Sequence, residues 1–268
     1  MPDFNLHNEW NRMAEAYQKI YKLGTDDVHY GPGCPKESDL DLLGDVSGKK
    51  VIEVGCGAAQ NSIFLAKKGA KVTALDFSEK QIEIGRELSL RENVHLDFVL
   101  GDFVRLEDYV SCKDYDLALS AYALQYSPSL DSLRKAFSGI NKILKKGCIL
   151  VFSFDHPLRL CGSWDLDRNY FVINNYFDRG KASWEYDFKE EEITAKGFGF
   201  SGTISDIING VIDAGFCLEK ILEPLPKKEN IAPNVLEMNY GITEVDNPDS
   251  FKKLSRIPNT LIIKSRKF

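Results

Sequence analysis

The 268-residue sequence contains no run approaching the roughly 18 consecutive apolar residues that a membrane-spanning helix requires, and its start, MPDFNLHNEW, has no basic segment followed by an apolar one. No membrane partner is expected, and the expected location is the cytoplasm. An excess of positive charge is also missing: 34 Lys and Arg stand against 40 Asp and Glu, a formal net charge of −6. With no positive field to attract a phosphate backbone, nucleic acid is not an expected partner. The six cysteines (Cys34, Cys56, Cys112, Cys148, Cys161 and Cys217) include no CxxC pair, and the four histidines show no HxxxH or HxH spacing. Neither a metal site nor a secreted disulfide framework is therefore expected. No internal repeat or low-complexity tract occurs. What is present is 43% hydrophobic against 28% charged residues, enough apolar surface to exclude general disorder. The length suits one large α/β domain with insertions.

Apolar residues at Trp10, Met13, Tyr17, Ile20 and Tyr21 recur at three- to four-residue intervals, which predicts an amphipathic helix over Asn8 to Tyr21. GTDDVHYGPGCP, dense in glycine and proline, reads as a loop, and a short helix is expected from Asp39 to Leu43. A regular alternation then begins. KKVIEVG, KVTALDF, HLDFVLGD, YDLALSAYAL and CILVFSF read as strands, and AAQNSIFLAKKG, SEKQIEIGRELSLREN and LDSLRKAFSGINKILKKG as helices, the last ending at Gly147. Strands fed by helices lie parallel with right-handed crossovers, and their near-continuous apolar character fits burial on both faces. The expected fold is a doubly wound α/β sheet with helices on both faces. After the fifth strand the rhythm breaks into an insertion rich in aromatics, in which ASWEYDF and EEEITAKGF suggest a hairpin. TISDIINGVIDAG returns to helical spacing, capped by Thr203 or Ser205, and FCLEKILEP and NTLIIKSRKF read as two closing strands.

The strongest local signal is EVGCGAAQ, residues 53–60, where the first strand turns into the first helix. Glycine lets backbone approach a ligand closely in such a turn, and open α/β sheets bind ligands at the carboxyl ends of their strands. Asp76 closes the second strand 21 residues after Gly55, where a carboxylate can accept hydrogen bonds from both ribose hydroxyls of a nucleoside. A dinucleotide fingerprint wants glycine or alanine where this chain has Gln60, so Gln60 argues against a nicotinamide cofactor. Glu53 agrees, since a carboxylate beside the loop suits ammonium and sulfonium charges better than two phosphates.

EVGCGAAQNS, ALDFSEKQI and GDF, spaced as they are, resemble the class I S-adenosylmethionine-dependent methyltransferase family. The resemblance covers Ser47 to Asp155, with the closing helix and two strands. It implies a seven-stranded methyltransferase sheet whose last strand is antiparallel, S-adenosylmethionine as cofactor and S-adenosylhomocysteine as product. It also implies roles for individual residues. Glu53 would help to hold the loop, Gly55, Cys56 and Gly57 would pass the methionine part with Gln60 and Gln81 nearby, and Asp76 would hold the ribose. Phe77 would pack near the adenine, and Gly101, Asp102 and Phe103 would meet its amine and a ring nitrogen. Ser120, Ala121 and Tyr122 would wall the methyl group, with Gln125 close by. Where the family usually has a third glycine this chain reads Ala58-Ala59, which still leaves room. It also lacks the Asn-Pro-Pro-Tyr type of motif used on planar amines.

The resemblance divides the chain into an N-terminal helical cap (1–45), a cofactor-binding core (46–155), an acceptor-cap insertion (156–200), and a closing helix with two strands (201–268). Tyr17, on the N-terminal stripe with Trp10 and Tyr21, is a candidate to cover the cofactor. Tyr122 and His156 are candidates for acceptor chemistry, His156 as a base because it follows the fifth strand at the ligand edge. The insertion's aromatics read mainly as that segment's own small core. The expected function is methyl transfer to a small molecule. Alternatives are a methyltransferase acting on protein or RNA, a nucleotide-dependent oxidoreductase and a non-enzymatic binding module.

Overall fold

Val51, Ile52 and Val54 of strand β1 (Lys50–Val54) are withdrawn from solvent, the continuous burial of a strand covered on both faces. The computed structural model describes residues 5–165, 170–231 and 255–268. Parts of the expected caps (1–4 and 166–169) and of the expected closing segment (232–254) lie outside the described residues. β1 pairs in parallel with β2 (Lys71–Asp76) on one side and β4 (Tyr115–Ala121) on the other, and β3 (Asp97–Leu100) extends the sheet beyond β2. β5 (Leu144–Asp155) lies beside β4. β11 (Thr260–Lys267) inserts antiparallel between β5 and β10 (Phe216–Leu222), giving the seven-strand order β10-β11-β5-β4-β1-β2-β3. Strand order reverses between β1 and β4, which opens a crevice at their carboxyl ends.

Helices cover both faces. On one, Phe137 and Ile140 of α6 (Leu130–Ile143) pack with Ile207 and Val211 of α8 (Ile204–Asp213) against Phe152 and Ile263. On the other, Ile63 of α3 (Gln60–Lys67) and Ile82 of α4 (Glu79–Arg91) pack with Leu42, Val51 and Val72. Burying each such side chain fully contributes about 1.5–3 kcal/mol. Thr203, not Ser205, caps α8, in a reciprocal pair with Asp206.

Several boundaries differ from the sequence expectation. α6 ends at Ile143 and not Gly147, because Leu144 already pairs with Tyr115 and the Lys145-Lys146-Gly147 stretch is accommodated as an irregularity between β4 and β5. The short helix α2 covers Glu37–Leu40 and stops there because the Glu37 carboxylate accepts the backbone N–H groups of Leu42 and Leu43. Two more short helices, α5 (Leu106–Tyr109) and α7 (Pro157–Leu160), lie near the strand ends. The insertion holds two hairpins, not one: β6 (Gly162–Asp165) with β7 (Tyr170–Ile173), and β8 (Gly180–Phe188) with β9 (Ile193–Ser201).

The long N-terminal helix α1 (Leu6–Tyr21) lies between the β8–β9 hairpin and α4. Met13 and Ala16 of α1 share a buried cluster with Phe188 and Ala195 of the hairpin, joined at its edge by Trp10, Tyr17, Trp184 and Tyr186. Trp184, Tyr186 and Phe188 of the insertion thus share a core with α1, in place of a core of the insertion's own. Arg12 donates to the Thr194 carbonyl (2.6 Å), Glu9 accepts from the Lys196 N–H (3.0 Å), and on the opposite side Asn11 donates to Glu79 (2.6 Å) and accepts from the Ser78 hydroxyl (2.6 Å).

Candidate cofactor and acceptor site

A cavity of about 930 Å³ opens over the carboxyl ends of β1, β2, β4 and β5 and is roofed by α1 and the β8–β9 hairpin. Its floor is the turn after β1. Gly55 has φ +74°, and a Cβ added there would stand 2.2 Å from the Cβ of Ala123, so the close approach of the two loops requires glycine. The turn is tied down by Asp76, whose Oδ2 accepts the Gly57 N–H (2.8 Å) while Oδ1 accepts the Ser78 N–H (2.9 Å). Burial pushes the Asp76 carboxyl upward, against these backbone hydrogen bonds.

Glu53 is fully enclosed beneath the same turn. Its Oε1 accepts from Asn61 (3.0 Å) and its Oε2 from the Ser62 hydroxyl (2.5 Å). Burial outweighs both bonds and raises its pKa to about 7. The chain thus keeps beneath the turn a buried carboxyl whose ionisation burial opposes.

Glu53, Gly55, Cys56, Gly57, Gln60, Asp76, Phe77, Gln81, Asp102, Phe103, Ala121, Tyr122 and Tyr17 all line this cavity. Gly101 and Ser120 do not: Gly101 packs under the Tyr109 ring, and the Ser120 hydroxyl donates to the Val54 carbonyl (2.8 Å) between strands. His156 also lies away from the lining. Its Nδ1 accepts the Leu158 N–H (3.1 Å) as the cap of α7, and its Nε2 bonds to Glu223 (2.8 Å), so both ring nitrogens are engaged in holding the end of β5. This geometry gives His156 a structural task in place of the base role considered above. Gln125 stands behind Asp155, exchanging hydrogen bonds with its backbone and carboxylate (2.8 and 3.2 Å).

Gln18, Asp155 and Tyr126 also line the cavity and were not singled out from sequence. Gln18 of α1 accepts from Gln60 (2.5 Å) and donates to Gln81 (2.9 Å), spanning the glycine turn from above. Asp155, at the end of β5, accepts the Tyr122 hydroxyl (3.0 Å) and pairs with Arg159. Tyr122 is held at φ +56°, a conformation that costs a non-glycine residue on the order of 1–3 kcal/mol and that clusters at functional sites. Trp10, Tyr126 and Trp184 meet in mutual ring contacts with centroids 5.2–6.0 Å apart, and Tyr186 lies 5.1 Å from Trp184. Burial, with the Asp155 charge adding to it, pushes the hydroxyls of Tyr17, Tyr126 and Tyr186 well upward, so all three stay protonated donors.

Among the described residues no group of three or more His, Cys, Asp or Glu could hold a metal ion, and no helix is long and apolar enough to cross a membrane.

Residues 51–147 match the family model of a methyltransferase domain. A protein of Haemophilus influenzae described as uncharacterized is 28% identical over 94% of this chain and 93% of its own length. The ubiquinone biosynthesis O-methyltransferase of Pasteurella multocida is 25% identical, a match that spans 46% of this chain and 60% of that enzyme. An S-adenosylmethionine-dependent methyltransferase from Mesorhizobium loti shares the fold, with a TM-score of 0.65 at 22% identity over 86% of this chain and 96% of the other. Residues 51–147 thus form a methyltransferase domain and the strand order is that of the S-adenosylmethionine-dependent methyltransferase fold; the chain is an enzyme, with S-adenosylmethionine as its cofactor.

Proposed function

We propose that this enzyme transfers the methyl group to a small-molecule acceptor bound under the α1–hairpin roof, and that it works in the cytoplasm. The observation that carries the proposal is the roofed, aromatic-walled cavity of about 930 Å³, near the upper end of the roughly 300–1,000 Å³ typical of small-molecule pockets. A macromolecular acceptor would call for an open face over the strand ends, where this chain has α1 and the hairpin. Likeness to an enzyme of ubiquinone biosynthesis supports the same reading.

The residues present suit the cofactor. Gly57 leaves open space where a side chain would stand, with only Gln81 Oε1 near, at 3.9 Å. Asp76 uses one lone pair of each oxygen on backbone N–H groups and keeps others for the ribose hydroxyls. Phe77, Asp102 and Phe103 would enclose the adenine, while Gly55, Cys56 and Gly57, with Gln18, Gln60 and Gln81 above them, would line the methionine part. S-adenosylmethionine supplies a methyl group already activated by its sulfonium. The protein's task is therefore alignment and exclusion of water. Ala121 and Tyr122 would hold the acceptor's nucleophile in line, and the wall of Trp10, Tyr126, Trp184 and Tyr186 would orient its body.

The test is incubation of a cell extract with methyl-labelled S-adenosylmethionine and the enzyme, followed by separation of small molecules from precipitated protein and RNA. Label is expected among the small molecules. Label confined to the precipitate would overturn the proposal.

A further inference from the structure

Two features of the cavity have no part in holding the cofactor: the carboxylate of Asp155 and the aromatic wall of the roof. Asp155 Oδ1 accepts the Tyr122 hydroxyl (3.0 Å) and meets Arg159, whereas among the described residues Oδ2 accepts from Gln125 alone (3.2 Å). A carboxylate offers about four lone-pair sites, so Oδ2 keeps one for a ligand. The Asp155 side chain lines the cavity and keeps 19% of its surface open, so a donor can reach it. Carboxylate and wall are built on one short turn after β4, Leu124–Tyr126. Gln125 bonds to Asp155, and the ring of its neighbour Tyr126 meets Trp10 and Trp184 at 5.2 and 6.0 Å. The hairpin pins this turn from above: a Cβ added to Gly199 of β9 would stand 2.8 Å from the Gln125 carbonyl.

The wall offers π surface. The indole N–H groups of Trp10 and Trp184 are buried while both rings stay partly open, so what these residues present is carbon. Tyr and Trp faces attract a cation within about 6 Å of the ring centroid. The charge of the cavity points the same way. Glu53, Asp76, Asp102 and Asp155 stand at or just past the strand ends, and Arg159 is the one described lining residue with a fixed positive charge. An anionic acceptor would meet that excess of carboxyl groups, and a cationic one would relieve it. Neither lining histidine is placed to serve as a base for a hydroxyl acceptor. His7 bonds to Glu79 (2.7 Å) beside Phe77, and His29 keeps its Nε2 buried.

We propose that the acceptor is a small primary or secondary amine, methylated on nitrogen, whose N–H donates to Asp155 Oδ2 while Tyr126 and Trp184 turn π surface toward it. This rests on the small-molecule reading above. In the transfer the nitrogen lone pair forms the bond to the methyl carbon, and the pair of the broken C–S bond stays on sulfur, leaving a neutral thioether. Positive charge passes from sulfur to nitrogen, and no proton has to move in that step; the methylated ammonium gives up its surplus proton to water afterwards. A carboxylate and π faces beside the nitrogen act most strongly on charge that develops there, which is charge of the transition state. Transfer to a hydroxyl would instead call for a base at the moment of attack.

The test incubates the enzyme with the small-molecule fraction of a cell extract and S-adenosylmethionine carrying an isotopically labelled methyl group, then follows the product's methyl signal by NMR through a pH titration. The signal is expected to shift as the attached nitrogen gains and loses its proton. A methyl signal indifferent to pH, as on oxygen, sulfur or carbon, overturns the assignment. Absence of label from every small molecule overturns the small-molecule reading, and this inference with it. Asp155→Asn keeps an acceptor for Tyr122 and removes the charge. With the amine so found it should lower kcat on the order of a hundredfold, with KM changed less and S-adenosylhomocysteine affinity unchanged by calorimetry. Trp184→Leu should lower kcat/KM about tenfold, and Trp184→Phe, which keeps a π face, should recover most of that. An undiminished kcat in Asp155→Asn, or equal losses in the two Trp184 variants, overturns the proposal. Should Asp155→Asn show no thermal unfolding transition, the methyl titration and the Trp184 pair decide.

Discussion

Replacing Glu53 by glutamine tests the electrostatics of the cavity floor directly. Glutamine keeps the shape and can still accept from Asn61 and bond to Ser62, but it cannot ionise. In the native protein burial raises the Glu53 pKa from 4.5 to about 7. At about 1.4 kcal/mol per pKa unit, that shift corresponds to about 3 kcal/mol. Because the folded-state value lies above the unfolded one, this contribution is complete below the unfolded pKa and is lost as pH rises through about 7. Native protein should therefore lose about 3 kcal/mol more than Glu53→Gln between about pH 5 and about pH 9, or roughly 6–12 °C in melting temperature. Denaturant unfolding of both proteins across that range is the assay; groups that do not interact with Glu53 cancel in the difference, and the carboxylate of Asp76, which repels that of Glu53, is the exception. Parallel stability profiles would refute the argument that Glu53 is a buried carboxyl resisting ionisation. The same residue predicts that S-adenosylmethionine, by bringing cationic charge, releases part of a proton near neutral pH, visible as a dependence of binding heat on buffer ionisation enthalpy. Glu53→Gln should abolish that dependence.

Two further outcomes follow from local geometry. Gly55→Ala places a methyl group 2.2 Å from Ala123 in a left-handed conformation, so S-adenosylhomocysteine affinity should drop by at least a hundredfold, measured by calorimetry, on strain alone of about 1–3 kcal/mol plus the clash. Thr203→Ala removes the cap of α8, outside the cavity lining, and should cost about 1 kcal/mol in denaturant unfolding while leaving cofactor affinity unchanged.

The sheet was legible because its strands are buried on both faces and therefore written as apolar runs, each punctuated by a glycine turn or a helix cap. That Glu53, Gly55, Asp76 and Asp102 would gather around one cavity was legible because they sit at strand ends whose spacing a parallel sheet dictates. The end of α6 was not, since Leu144 to Gly147 extend the helical pattern smoothly and only pairing with Tyr115 draws them into β5. The aromatic wall left a signal that went unused. Trp184, Tyr186 and Phe188 alternate along β8 as Trp10, Met13 and Tyr17 recur along α1, and two unpartnered apolar faces in one chain had each other as the nearest cover. His156 misled because its place after β5 suggested the ligand edge, whereas its bonds to Leu158 and Glu223 turn it to capping.

Helix α1 fastens to the hairpin through Glu9 and Arg12, to α4 through Asn11, and across the glycine turn through Gln18. A single helix therefore roofs the one cavity from the hairpin to the glycine turn. The proposed acceptor and cofactor positions are coupled through it: transplanting the β8–β9 hairpin of a relative to change acceptor choice would have to carry its matching helix along, or the exchange would loosen the grip on the methyl donor as well.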